Sequence, residues 1–174
     1  MLRVATRAAH DRVDALFSAL DLADPADYRR FLAAQAAAFL PLEAALDAAG
    51  VADLFPDWAA RRRSALLLAD LDVTGIMVPA PEAMPQFSTS AGVAGAAYVL
   101  EGSRLGGAVL ARSVAPGLPH SFLAAPQQAG HWRSFLGRLE LVLPSHVQRA
   151  EAVMGADQVF DIFARAARAT METQ

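Results

Sequence analysis

Histidine and carboxylate side chains are the groups of this 174-residue sequence that could hold a metal ion, because it contains no cysteine. His10 lies at the margin of an apolar stripe with Thr6, Val13 and Phe17, and Asp14 follows it by one helical turn. A carboxylate at that spacing can accept the proton of one ring nitrogen and leave the other nitrogen for a metal. The pattern predicts a candidate metal ligand, with a purely structural histidine as the alternative.

The other ionisable groups point less clearly to a site. His120, His131 and His146 fall in predicted loops or at helix starts and form no HxxxH or HExxH pattern. We therefore expect them at the surface and not in a zinc or diiron site. Arg3 lies two turns before His10 on the same side of the helix, where it could meet an anionic edge of the ligand.

Five glycines interrupt a segment that otherwise favours a helix: Gly92, Gly95, Gly102, Gly106 and Gly107. Each interior glycine costs about 1 kcal/mol relative to alanine, and such local inconsistencies tend to occur at functional sites. Gly102 and Gly106 are four residues apart and therefore share a helix face that has no side chains. A flat ligand could rest on that backbone; close approach of a neighbouring helix, or a simple bend, is the alternative.

The elements that must position these residues are all helical, because no segment alternates apolar and polar residues as a strand does. Asp24 and Pro25 are typical of a helix start, Gly50 of a helix end, and Pro41 predicts a kink between them. Three prolines mark a long connection over residues 72–87. The predicted helices cover residues 2–20, 25–50, 58–71, 88–114, 127–143 and 144 to near the end of the chain.

Composition excludes several classes of function. The net charge is −3 and all 15 basic residues are arginine, so there is no basic field for nucleic acid or anionic lipid. Charged residues interrupt the first helix, and the apolar runs near residues 65–68 and 91–100 are too short to span a bilayer. We expect a cytoplasmic protein with one domain over residues 1–174.

Two separate segments resemble the heme oxygenase family. LRVATRAAH over residues 2–10, followed by Val13 and Asp14, is similar to the proximal helix of these enzymes. YVLEGSRLGG over residues 98–107 resembles their distal helix, in the form found in bacterial enzymes often associated with bacteriophytochromes. Residues 41–43, and Trp132 with Phe135, extend the likeness over nearly the whole chain.

The resemblance implies an all-α, single-domain helical bundle with a kinked, glycine-rich distal helix, and a set of roles. His10 would be the proximal iron ligand, supported by Asp14, and Gly102 and Gly106 would contact the heme face and leave room for dioxygen. Arginine suits a carboxylate, so Arg3 would contact a heme propionate. Further heme contacts would come from Val13, Tyr98, Arg133, Arg138 and Phe160, for the last three of which a surface or core role is the alternative.

The resemblance also implies the reaction and its partners. Heme would be both cofactor and substrate, cleaved at a meso carbon by dioxygen and electrons from a separate reductase or ferredoxin. The products would be biliverdin, ferrous iron and carbon monoxide, with a bacteriophytochrome as a possible biliverdin acceptor.

The sequence departs from the family at Ser103, where many members carry an aspartate that organises the water supplying protons. A serine hydroxyl can hold a water but carries no charge. Two alternatives to the enzyme follow: a heme carrier or sensor of the same fold, and a helical bundle that binds another ligand without iron.

Overall fold

The computed structural model describes residues 1–126 and 128–172, and every regular element in this part of the chain is helical. The helices are α1 (Leu2–Ala5), α2 (Arg7–Phe17), α3 (Pro25–Ala48), α4 (Val51–Leu54), α5 (Trp58–Arg61), α6 (Ser64–Thr74), α7 (Ser90–Leu110), α8 (His131–Val142) and α9 (His146–Glu172), with a 3₁₀ turn over Ala111–Ser113. The prediction of an all-α fold is confirmed.

Helix α3 contributes many buried side chains to the core and begins where the sequence predicts. The Asp24 carboxylate accepts hydrogen bonds from the backbone N–H groups of Ala26 and Asp27, and Pro25 occupies the first turn. By length and composition this helix could cross a membrane, but 56% of its most apolar window is buried inside the fold. Burial of that kind is typical of the core helix of a soluble protein.

Helices α7 and α9 cross at small residues. A Cβ atom added to Gly95 would lie 1.8 Å from the Ala152 carbonyl oxygen, and one added to Gly155 would lie 2.3 Å from the Gly92 carbonyl oxygen. No real side chain fits at such distances, so these glycines let the two backbones touch. Close approach of a neighbouring helix therefore explains Gly95, while Gly92 supplies the backbone against which Gly155 packs.

Helix α9 also carries the N-terminal helices, because α1 and α2 pack against it. The first predicted helix is broken at Thr6, whose hydroxyl donates to the Leu2 carbonyl at 3.0 Å. Helix α2, which carries His10, packs along one side of α9, and α7 packs along another. This arrangement places the two sequence motifs on a shared support.

The predicted helix over residues 58–71 is two helices, with a break at Arg62 and Arg63. The buried Glu43 of α3 explains the break. Its carboxylate accepts the backbone N–H groups of Arg63 at 2.7 Å and Ser64 at 3.1 Å, and so caps α6 from a distant part of the chain. Neighbouring residues contain no signal for this cap.

Candidate functional site

His10 and Asp14 have the geometry that the sequence predicts. The His10 Nδ1 atom lies 3.1 Å from an Asp14 carboxylate oxygen, and the His10 side chain is 57% exposed. With Nδ1 facing a carboxylate, Nε2 is the nitrogen available to a metal, and among the described residues it has no hydrogen-bond partner. The pair can therefore present an oriented imidazole nitrogen to a metal ion.

An apolar wall lies next to this imidazole. The Phe160 ring of α9 meets the His10 ring edge-on, with centroids 5.9 Å apart. Val13 and Phe17 lie on α2 at helical spacing and pack partly buried against the core. A planar apolar ligand bound to His10 would find aliphatic and aromatic contacts on this side.

Gly102 and Gly106 of α7 form a bare face. An added Cβ at Gly106 would meet nothing within 4 Å, and one at Gly102 would meet only the Trp132 ring, at 3.8 Å. Leu105, Val109 and the nearby Leu110 add exposed apolar side chains to the same half of the helix. Nothing in the protein's own packing requires glycine at these two positions, in contrast to Gly95.

Arg3 of α1 and Tyr98 of α7 interact electrostatically. Burial raises the pKa of the Tyr98 phenol, and the positive charge of Arg3 offsets part of that rise. The Arg3 guanidinium is therefore within electrostatic reach of α7, one turn before Gly102. A cation and a phenol close together suit a carboxylate of the ligand.

Buried charges hold this half of α7 in place. Glu101 is 4% exposed and pairs with Arg61 of α5 at 2.5 Å and with Arg104 at 3.3 Å. Arg61 also pairs with Asp57 at 2.6 Å. The hydrogen bond from Arg61 lowers the pKa of the Asp57 carboxyl. Because such a network is costly to break, it anchors the helix next to Gly102.

The Ser103 hydroxyl is already hydrogen-bonded within the protein. Its Oγ donates to the Leu100 carbonyl at 2.7 Å and accepts from the Arg63 guanidinium at 2.7 Å. Arg63 is buried between the rings of Phe39 and Phe122, and burial lowers its pKa to about 9. One lone pair of the Ser103 oxygen is left to accept a hydrogen bond.

The remaining predicted contacts lie apart from these residues. The Arg138 Nε donates to the Leu54 carbonyl at 2.6 Å, where α8 meets α4. Arg133 is exposed and forms no ion pair with the residues that the structure describes. Their roles as propionate contacts stay predictions.

His131 differs from the surface position expected of it. Its side chain is 14% exposed, and its Nε2 lies 3.9 Å from the Asp57 carboxylate. It borders a cavity of about 530 Å³ behind α7, which is also lined by Arg104 and Ser134. Neither His10 nor the bare glycines contribute to the described lining of that cavity, so the candidate site is the open face and not this hollow.

Sequence reasoning missed the residues that support the site from elsewhere in the chain. Trp132 was noted only as part of a motif, although it contacts the bare face. Arg61 and Arg63 belong to a run of three arginines, residues 61–63, and nothing in the run itself indicates their buried partners. The one available signal was Glu101, a carboxylate inside an apolar helix, because a buried charge requires a partner.

The chain is similar in sequence to two heme oxygenases. No family model matches the chain. It is 31% identical over 172 residues to heme oxygenase PigA from Pseudomonas aeruginosa, which covers 93% of this chain and 87% of that protein. It is 41% identical over 112 residues to a heme oxygenase from Xanthomonas campestris pv. campestris, covering 61% of this chain and 67% of that protein.

A solved structure shows the same fold. The chain superimposes on the NO- and CO-bound heme oxygenase from Neisseria meningitidis with a TM-score of 0.84 at 24% sequence identity. The match covers 97% of this chain and 89% of that chain.

Proposed function

This chain belongs to the heme oxygenase family, and we propose that it cleaves heme at a meso carbon to biliverdin, ferrous iron and carbon monoxide, with His10 as the iron ligand. Two observations support the assignment of residues: the His10 imidazole is oriented by Asp14, and Gly102 and Gly106 leave one face of α7 bare. His10 offers a free Nε2, and Gly106 lies where an added Cβ would meet nothing within 4 Å. These features fit a flat, iron-containing ligand.

Heme, when bound, supplies the iron that activates dioxygen and is itself the molecule cleaved. On the proximal side, Asp14 holds the proton of the His10 Nδ1 and so fixes the imidazole tautomer. Phe160 restricts the ring from one side. These residues orient the ligand nitrogen before heme arrives.

On the distal side, the chain contributes shape and limited polarity. Gly102 and Gly106 keep side chains away from the ligand face, so that a small gas molecule has room there. Ser103 can accept one hydrogen bond from a water, since its proton is already directed at the Leu100 carbonyl. Arg3 and Tyr98 provide a cation and a phenol for a propionate.

The reaction requires partners. We propose that a separate reductase or ferredoxin delivers the electrons, and that the protein works in the cytoplasm. A bacteriophytochrome is the proposed acceptor of biliverdin, as the resemblance of residues 98–107 implies.

Titration with hemin, followed by reductant, tests the proposal. The purified protein should bind one hemin, with a shift of the Soret band, and under oxygen and reductant that band should give way to bilin absorbance. His10→Ala should lose the ligand-dependent spectrum, while His146→Ala, at an exposed histidine at the start of α9, serves as the matched control.

Three results would contradict parts of the proposal. Persistent ferrous heme under reductant would favour a carrier or sensor. An unchanged hemin spectrum would favour a bundle that binds another ligand. An unaltered spectrum in His10→Ala would move the iron ligand elsewhere.

A further inference from the structure

Trp132 is the bulky side chain that borders the bare glycine face of α7. Its Cη2 atom lies 3.8 Å from the position of an added Cβ at Gly102, closer than any other group outside the helix. The neighbouring Tyr98 ring is 5.6 Å away, centroid to centroid, and tilted by 40°. The bare face that runs from Gly106 toward the start of α7 is therefore bounded by the Trp132 and Tyr98 rings.

The Trp132 ring is held firmly from behind. It stacks on Phe135 with centroids 5.7 Å apart and planes 13° from parallel, and Phe135 in turn stacks on Phe55 at 4.6 Å. Phe135 is fully buried, and the Arg61 guanidinium lies 5.3 Å from its ring centroid. A three-ring stack on a buried base has little freedom to move aside for a ligand.

A heme held through one axial nitrogen could rotate about the iron–nitrogen bond. Its rotational position within its own plane would therefore depend on contacts at the edge of the porphyrin. Arg3 and Tyr98 can hold a propionate, but flexible or polar groups tolerate small rotations. A rigid indole next to Gly102 would instead block rotation of the porphyrin by steric contact. Overlap with a tightly packed aromatic side chain costs more free energy than rearrangement of a flexible arginine.

We propose that Trp132 is a specificity-determining residue that sets the in-plane seat of heme and thereby the meso carbon that is cleaved. The inference rests on the proposed function. It assigns to Trp132 a positioning role at the rim of the ligand, separate from axial ligation by His10. Removal of the outer ring of the indole should leave space next to Gly102 and allow the heme to bind in a second in-plane orientation.

Trp132→Phe is the decisive variant, because a phenyl ring keeps the stack on Phe135 but lacks the outer atoms that reach Gly102. Proton NMR of the ferric cyanide complex reports the heme orientations through the heme methyl shifts, without turnover. The expected result is a second set of heme methyl signals at about one fifth or more of the total. Trp132→Ala should enlarge that second set.

Chromatography of the bilin products provides the second readout. The ratio of biliverdin isomers should change in Trp132→Phe in the same direction as the NMR populations. Leu141→Ala, on the same helix but 72% exposed, is the matched control and should give the wild-type ratio.

The outcomes separate the inference from the proposed function. Hemin binding with unchanged orientations and unchanged isomers in Trp132→Phe overturns the inference alone. A wild-type protein that leaves the hemin spectrum unchanged overturns the proposed function as well. If Trp132→Ala does not fold, Trp132→Phe still decides, because it retains the aromatic stack.

Discussion

Two glycines of α7, Gly95 in its first half and Gly106 in its second, have opposite surroundings. In residues 90–99, Gly95 leaves no space at all, since an added Cβ would lie 1.8 Å from the Ala152 carbonyl oxygen. In residues 100–110, Gly106 leaves open space, and an added Cβ would meet nothing within 4 Å. The same residue type thus serves helix packing at Gly95 and leaves a bare backbone face at Gly106, which the proposed function assigns to the ligand.

The two halves are also held by different forces. The first half packs directly on α9, backbone to backbone. The second half is anchored by Glu101 with Arg61 and Arg104, and by Arg63 with Ser103. On the side away from the open face, buried charge pairs and hydrogen bonds hold this half, together with close packing of Gly107 on Leu123.

The largest expected difference is in stability. Gly95→Ala should destabilise the ligand-free protein by about 3 kcal/mol, because the methyl group forces α7 and α9 apart. Urea denaturation followed by circular dichroism measures the change. A midpoint equal to that of the wild type would show that the crossing is looser than the described contacts.

The second half should respond through the ligand. Gly106→Leu should weaken hemin binding by about 100-fold, or roughly 2.7 kcal/mol, because the side chain occupies the ligand face. Hemin titration measures it, with Gly137→Leu as the control, since Gly137 of α8 also has nothing within 4 Å. Equal affinities in Gly106→Leu and the wild type would remove this face from the site.

A smaller substitution at Gly106 should change the stability in the direction opposite to that expected for Gly95→Ala. Gly106→Ala should stabilise the ligand-free protein by about 1 kcal/mol, because alanine favours the helix and no neighbour opposes the methyl group. Gly137→Ala should show a similar gain in urea denaturation. A loss of stability in Gly106→Ala would indicate that the second half packs more tightly than its geometry implies.

Ser103→Ala should slow turnover by about threefold, an effect under 1 kcal/mol, if the hydroxyl helps to hold the distal water. Hemin affinity should stay unchanged, and the rate of bilin formation at fixed reductant is the measurement. Ser134→Ala, on α8, provides the control. An unaltered rate would place the proton path at other groups.

Low pH should weaken the ion pairs that hold residues 100–110 of α7, with a small effect on stability. The Asp57 pKa is lowered in the folded protein by its hydrogen bond with Arg61. Its contribution to stability is therefore complete above the usual carboxyl pKa of 3.8 and is lost as the pH falls through the lower folded value. Asp57→Asn should reduce the acid dependence of unfolding; an identical dependence would mean that this ion pair contributes nothing.

Much of the fold and part of the site follow from local sequence. The start of α3 at Pro25 depends on neighbouring residues, and so does the pairing of His10 with Asp14 across one helical turn. The bare face of Gly102 and Gly106 follows from helical spacing alone. Each of these features is decided within a few residues, and the structure contains them as predicted.

Other features depend on residues that are distant in sequence. Whether Gly95 serves packing or a ligand is decided by Ala152, which lies 57 positions later. The break between α5 and α6 depends on Glu43, and the wall beside Gly102 depends on Trp132. Periodicity and propensity describe only local structure, and so they left the role of the glycines open and placed one helix where there are two.

The light attachment of α2 has a consequence for the order in which the protein opens. Ala9 is the buried residue of Arg7–Phe17, and the rest of this fully described helix is half-buried or exposed. An element with so little core of its own belongs to the least stable part of the native ensemble. A ligand seated on His10 would act as the missing half of its core, so the entry of substrate would complete the folding of the helix that receives it.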